Sequence, residues 1–238
     1  MSQIDYQPGV LQPDRLEQIN QRITAAQVLS AHSAERVTIV AVTKSFSVAA
    51  LTSGYQAGQR IFGESRVQEA AEKLPQFPNR DQCQVRLIGH LQSNKSHKAL
   101  ELLDLIESVD SLKLLNRLDR QAGELGKRMP VYLQVNSGRD PAKSGFDPDD
   151  LDQHIATLAA VENLEIAGLM TIAPLTRDEQ RLRETFALTR QLQRALVKEI
   201  PTCRDLSMGM SGDFEIAVEE GATHVRLGSL LYGPRPGT

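Results

Sequence analysis

Val37-Thr38-Ile39-Val40-Ala41-Val42-Thr43-Lys44 is a nearly unbroken run of apolar and β-branched residues that ends on a lysine. A run of this kind predicts a strand covered on both faces, as in parallel sheets flanked by helices. The pattern then repeats downstream. Strand-like apolar runs lie at 60–64, 85–90, 105–110, 131–136, 165–172, 205–210 and 224–233, separated by amphipathic or polar stretches such as 111–126, 147–161 and 177–200. Strand–helix alternation predicts a parallel α/β sheet, and eight repeats predict its closure into a (β/α)8 TIM-type barrel. The rival, an open doubly wound sheet, normally carries a GxGxxG turn after its first strand. Here that position holds Lys44-Ser45-Phe46-Ser47. Upstream, Leu16, Ile19, Ile23 and Ala26 recur at helical spacing and predict an extra N-terminal helix, with Asp14 after Pro13 as its N-cap.

The bulk properties agree with one domain over residues 1–238. A length of 238 residues with 40% hydrophobic content suits a single barrel, and no linker interrupts it. The net charge is -3 with mixed signs, and the short cluster Lys95, His97 and Lys98 reads as a solvated helix face. Without a basic stripe, nucleic acid is not an expected partner. Cys83 and Cys203 stand far apart, outside CxxC spacing, which argues against a disulfide framework or zinc site and fits a reducing compartment. The opening MSQIDYQPGVLQPD has no apolar leader core, and no apolar run approaches a membrane span. No metal spacing such as HExxH appears. A cytoplasmic, soluble protein follows, and a monomer, since no long apolar surface stripe is evident.

Barrels of this type carry their chemistry at the C-terminal ends of strands. Those positions hold Lys44, Glu64, His90, Asp110, Asn136, Thr171, Ser211 and the stretch 226–229. Alternation puts Lys44 on the face of Val40 and Val42. If that face points inward, desolvation disfavours the ammonium, which a Schiff-base amine requires; if not, Lys44 simply reaches solvent. Ser207-Met208-Gly209-Met210-Ser211-Gly212-Asp213 follows the seventh strand and leads into a helix near Asp213, while Val225-Arg226-Leu227-Gly228-Ser229 lies on the eighth. Loops after those two strands often hold a phosphate, with serine hydroxyls and glycine-flanked backbone amides as donors. His90 is open to two readings, a base or a hydrogen-bonded wall residue. Glu64 and Asp110 are open to two as well, an acid–base pair or loop anchors.

The chain resembles the pyridoxal-phosphate homeostasis family (YggS/PROSC). The resemblance rests on Ala41-Val42-Thr43-Lys44, Phe62-Gly63-Glu64 with Val67-Gln68-Glu69, and Ile88-Gly89-His90-Leu91-Gln92-Ser93-Asn94-Lys95. It continues through Val135-Asn136 with Lys143 and Gly145, Gly168-Leu169-Met170-Thr171-Ile172, Leu206-Ser207-Met208-Gly209-Met210-Ser211 with Asp213, and Gly221-Ala222-Thr223-His224-Val225-Arg226-Leu227-Gly228-Ser229. It implies a barrel like the N-terminal domain of alanine racemase, with pyridoxal 5′-phosphate (PLP) as an internal aldimine on Lys44. It further implies that Ser211, Gly212, Gly228 and Ser229 hold the phosphate, that Arg226 faces the pyridine nitrogen, and that Met208 and His90 are wall residues. Asn136 and Lys143 would shape the entrance. Family members carry Gly-Glu-Asn where this chain has Gly63-Glu64-Ser65, so Ser65 would replace part of that asparagine's hydrogen bonding.

A non-catalytic role is expected. A guanidinium only donates, so a nitrogen facing Arg226 stays unprotonated and the ring is a weak electron sink. A racemase also needs an acid/base group on each face of the substrate carbon. Among Tyr6, Tyr55, Tyr132 and Tyr232, only Tyr232 follows a strand near the predicted site. The expected function is therefore PLP homeostasis, with apo PLP-enzymes as possible recipients. Two alternatives are a PLP-dependent amino-acid racemase or lyase, and a lysine Schiff-base aldolase without PLP.

Overall fold

The structure is a computed structural model that describes residues 8–30 and 32–235. Residues 1–7, which include Tyr6 and half of the stretch read above for a leader, lie outside the described residues, as do 236–238. Eight strands are described: β1 (Thr38–Val42), β2 (Ile61–Glu64), β3 (Gln84–Leu87), β4 (Leu105–Val109), β5 (Met129–Gln134), β6 (Leu164–Met170), β7 (Asp205–Ser207) and β8 (His224–Leu227). They pair in parallel in chain order, and β8 closes onto β1 with Val40 opposite Arg226. The predicted barrel is the observed one.

The helices are α1 (Pro13–Val28), α2 (Val48–Gln56), α3 (Val67–Lys73), α4 (Ser96–Leu102), α5 (Leu112–Glu124), α6 (Ile155–Ala159), α7 (Glu179–Glu199), α8 (Phe214–Glu219) and α9 (Ser229–Tyr232). Two local expectations change. Asp14 does not cap α1: Gln12 occupies the cap position and Pro13 the first turn, where a missing N–H costs nothing. Asp14 instead places its charge in that turn, beside the positive end of the helix. The eighth strand does not run to residue 233. It stops at Leu227, because the Gly228 carbonyl accepts from the amides of Leu231 and Tyr232 and winds the chain into α9.

Alternation sorts β1 cleanly. Ile39 and Ala41 join the large outer core between sheet and helices, whereas Val40 and Val42 form a small cluster with Ile88 inside the barrel. Below that apolar layer the interior is polar. Arg86 Nη1 donates to Glu107 Oε1 at 3.2 Å, and Ser207 Oγ donates to Glu107 Oε2 at 2.6 Å. Tyr132 Oη donates to Asp205 Oδ2 at 2.8 Å. Each of these polar groups has a partner, as buried polar groups require.

His224 belongs to this layer. Arg86 Nη2 lies 3.3 Å from His224 Nε2, and since arginine can only donate, Nε2 is the acceptor and the proton sits on Nδ1, 2.8 Å from Thr223 Oγ1. Burial, with Arg86 and Arg226 nearby, holds the imidazole down at about 3. An unfolded histidine titrates near about 6.5. Between those values the unfolded chain takes up a proton that the folded one refuses. Stability is therefore expected to fall as pH drops below about 6.5, by up to about 1.4 kcal/mol per pH unit from this group. Urea unfolding at pH 7.5, 6 and 5 on wild type and His224→Gln checks this. An equally steep decline in the variant would assign the sensitivity elsewhere.

Candidate functional site

Lys44 stands two residues beyond the end of β1, on the inward face, at the C-terminal rim of the barrel. It is half-buried and makes no hydrogen bond or ion pair with any described residue. Burial lowers its pKa from the usual lysine range, and Arg235 and Arg226 push it further down, against a smaller pull from Glu69. The neutral, nucleophilic amine is thus favoured.

The backbone around Lys44 is pinned. Buried Lys73 on α3 donates to the Thr43 carbonyl at 2.9 Å, to Glu64 Oε1 at 2.8 Å and to Glu69 Oε1 at 3.0 Å. Glu69 Oε1 also accepts the Ser45 amide at 2.5 Å. One lysine thereby ties the peptide before Lys44 to the carboxylate that holds the peptide after it. Ser45 adopts a left-handed φ of 65°, a conformation that costs a non-glycine residue about 1–2 kcal/mol and that these contacts sustain. Glu64, fully buried, is pushed up by desolvation and drawn back by Lys73 and Thr43.

From Lys44 a cavity of about 430 Å³ runs to the ends of β7 and β8. Val42, Phe46, Ile88 and Ile172 supply apolar wall, Ser211, Gly212, Gly228 and Ser229 line the far end, and Arg226 also reaches it. Arg226 is nearly fully buried. Its Nη1 donates to the Ser207 carbonyl at 2.7 Å and to Ser207 Oγ at 2.8 Å, and its Nη2 donates to the Thr171 carbonyl at 2.7 Å. Ser207 Oγ in turn donates to Glu107, so the guanidinium is fixed through a hydroxyl and forms no direct ion pair. Gly209 makes the turn off β7 with φ of 90°, and a Cβ there would lie 2.5 Å from that of Ala217.

Of the predicted residues, Lys44, Ser211, Gly212, Arg226, Gly228 and Ser229 line this one cavity. Ser65 and His90 line a neighbouring cavity that shares Lys44 and Arg235 with it. Met208 lines neither. β7 ends with Ser207 pointing inward, so alternation turns Met208 outward into the helix-covered core, and Met210 takes the cavity wall instead. The possible Glu64–Asp110 pairing does not form: Glu64 is bound to Lys73 and Thr43, while Asp110 Oδ2 lies 2.9 Å from His90 Nδ1. Asn136 folds back onto its own loop, donating to the Asp140 carbonyl at 2.9 Å. Lys143 grips the loop after β6 through the carbonyls of Ile172 and Ala173, and so sets one cavity wall indirectly. Tyr232 is fully buried, reaches neither cavity and has no partner for its hydroxyl.

Several wall residues had no mark in the sequence. Ile88 could have been found by continuing the inward alternation of β3 past its end. Phe46, Leu175 and Arg235 lie on loops, where no periodicity points. Lys95 lines the neighbouring cavity, unlike His97 and Lys98, which pair with Glu101 on the surface as a solvated face does.

No group of three metal-ligating side chains lies together, and no helix is long and apolar enough to cross a membrane, among the described residues. Residues 15–236 match the family model for the alanine racemase N-terminal domain. The chain is 40% identical over 200 residues to the pyridoxal phosphate homeostasis protein of Synechocystis, covering 84% of this chain and 92% of that one. It is 34% identical to the protein of the same name from Escherichia coli, covering 92% and 95%. PipY of Synechococcus elongatus, solved with PLP bound, superposes with a TM-score of 0.82 at 40% identity, covering 93% of this chain and 99% of PipY. Alanine racemase of Clostridium difficile superposes at 0.75 with 17% identity over 57% of its length, a likeness of fold alone. A barrel closed in strand order, a rim lysine aimed into a cavity ending in two serine–glycine loops, and these full-length likenesses agree: the chain belongs to the pyridoxal phosphate homeostasis protein family, within the alanine racemase N-terminal domain fold.

Proposed function

We propose that this protein holds PLP reversibly on the amine of Lys44 and serves its homeostasis in a reducing cytoplasm. The observation that carries this reading is one cavity with an unpartnered, partly desolvated amine at one end and Ser211, Gly212, Gly228 and Ser229 at the other. The residues fit the group. A Cβ on Gly212 would meet no protein atom within 4 Å, so that end has room, and hydroxyls and amides with Arg226 nearby suit a phosphate. The apolar stretch of Val42, Ile88 and Ile172 suits a flat aromatic ring. PLP supplies an aldehyde that condenses with an amine and can be exchanged off it. Lys44 would hold that aldehyde, Ser211 and Ser229 would donate to the phosphate, and Arg226, fixed by Ser207 and Thr171, would present only donors to the ring. Ser65 and His90 would stand on the opposite side of Lys44, in the neighbouring cavity, rather than against the phosphate.

A holding role without catalysis is favoured by what flanks the cavity. Tyr232, the tyrosine that the sequence placed after a strand near the site, is sealed in the core with its pKa pushed up by burial. His90 is exposed and engaged with Asp110. A monomer that passes PLP on to apo-enzymes completes the reading, and both cysteines, free and buried, suit the reducing compartment.

The test is the visible absorption of the purified protein with and without added PLP, followed by borohydride reduction and peptide mass mapping. A yellow protein with a phosphopyridoxyl mass on the Lys44 peptide is expected. A protein that stays colourless and unmodified with excess PLP would sink the reading. Rapid exchange of α-protons, when the loaded protein meets amino acids in deuterated water, would overturn the non-catalytic part alone.

A further inference from the structure

The neighbouring cavity is larger, about 710 Å³, and lies on the other side of Lys44 between the loops that follow β2 and β3. Those loops touch closely: a Cβ on Gly89 would sit 2.3 Å from the Ser65 carbonyl. Among the described residues the wall carries the cations Lys44, Arg66 and Lys95, with Arg235 at its edge, against one carboxylate, Glu69. Arg66 and Lys95 hold no ion pair or side-chain hydrogen bond to any described residue. Glu69 spends Oε1 on Ser45 and Lys73 and leaves Oε2 without a hydrogen bond.

Such a wall selects by charge pattern. The cationic excess favours an anion, since a cleft lined by one sign of charge concentrates its counter-ion. A plain phosphate would still have to face Glu69. A ligand with one ammonium and more than one carboxylate satisfies both sides, the ammonium at Glu69 Oε2 and the carboxylates at Arg66 and Lys95, in charge-assisted hydrogen bonds. We propose that this cavity binds a free acidic α-amino acid beside Lys44. Its use rests on the reading of Lys44 given above: the ligand's amine, on giving up a proton, would displace Lys44 from the aldehyde, one carbon–nitrogen double bond forming as the other breaks and the proton passing to the released lysine. Amino-acid supply would thus be felt at the point of retention.

The test is calorimetric titration of L-glutamate into PLP-free protein, with glycine and inorganic phosphate as comparison ligands. It is run on wild type, Arg66→Ala, Lys95→Ala and the double variant. Arg66 is exposed, Lys95 half-buried, and neither side chain is bonded to a described residue, so the variants keep the fold. Saturable glutamate binding is expected, weakened about tenfold or more by each single change, as loss of one charge-assisted contact implies. Glycine, with one carboxylate, is expected to bind more weakly. Phosphate binding as tightly as glutamate would reduce the cavity to an anion site and overturn the amino-acid assignment. Absence of glutamate binding to wild type, or undiminished binding to the double variant, would overturn it too. PLP uptake on Lys44, read by borohydride reduction and mass, is measured in parallel and should be unchanged in all four proteins. Its failure in wild type would strike the PLP reading and leave the binding result standing.

Discussion

Lys44→Ala is expected to abolish covalent retention of PLP altogether, with no phosphopyridoxyl mass on any peptide after borohydride reduction. The other lysines near the rim cannot take its place. Lys73 is buried and committed to three acceptors, and Lys143 is bound to the carbonyls of Ile172 and Ala173. Lys95 lines only the neighbouring cavity. The serine–glycine loops and Arg226 remain in the variant, so weak, reversible binding that washes out on desalting should persist. Stability should hardly move. Lys44 has no ion pair to lose, and its removal takes a cation away from Arg226 and Arg235. A change within about 0.5 kcal/mol is expected, as for a surface position. A reduced adduct that shifted to Lys95 would refute the placement of PLP between Lys44 and the two serine–glycine loops.

The second large effect is structural and lies deeper. Glu107 is fully buried and stands between two guanidiniums, accepting from Arg86 directly and from Ser207, whose hydroxyl accepts from Arg226. Glu107→Ala leaves buried Arg86 without its ion-pair partner and Arg226 with Asp213 alone as a nearby counter-charge. Breaking a buried pair from one side costs about 3–5 kcal/mol. Whole domains carry only about 5–15 kcal/mol. For a chain of this size the melting midpoint is expected to fall by about 10 °C. Glu107→Gln, which retains an acceptor and loses the charge, should fall in between. The variant should also loosen Arg226, because Ser207 is no longer held, and weaken PLP retention even though residue 107 lines no cavity. An Ala variant that melts with wild type would mean that this network is not a stabilising one.

The barrel was legible because it is written in hydrophobic period. Eight apolar runs separated by amphipathic stretches leave few topologies, and the face that alternation gives Val40, Val42 and Lys44 in common, left open in the sequence, is the inward one. The far end of the cavity was legible too, since the serines and glycines predicted after β7 and β8 line it together with Lys44. What could not be read is set by loop conformation. Met208 was placed in the wall by resemblance, yet the last residue of β7 that points inward is Ser207. One residue of phase moves a side chain to the opposite face. The inner ring of Arg86, Glu107 and Ser207 was also invisible, because charges inside an apolar pattern look like surface positions until closure turns them inward. Arg66 and Lys95, distant in sequence, share a cavity only because the loops after β2 and β3 close on each other at Gly89 and Ser65.

The pairing of β8 with β1 bears on the reversible holding proposed above. An open sheet offers two unpaired borders, each a row of free amides and carbonyls on which another chain can grow. Here the described sheet has no such border, because each strand pairs with a neighbour on both sides. Closure thus leaves no sticky seam, whatever the rim holds. If PLP is exchanged off Lys44 as proposed, the unloaded form carries little risk of strand-to-strand aggregation.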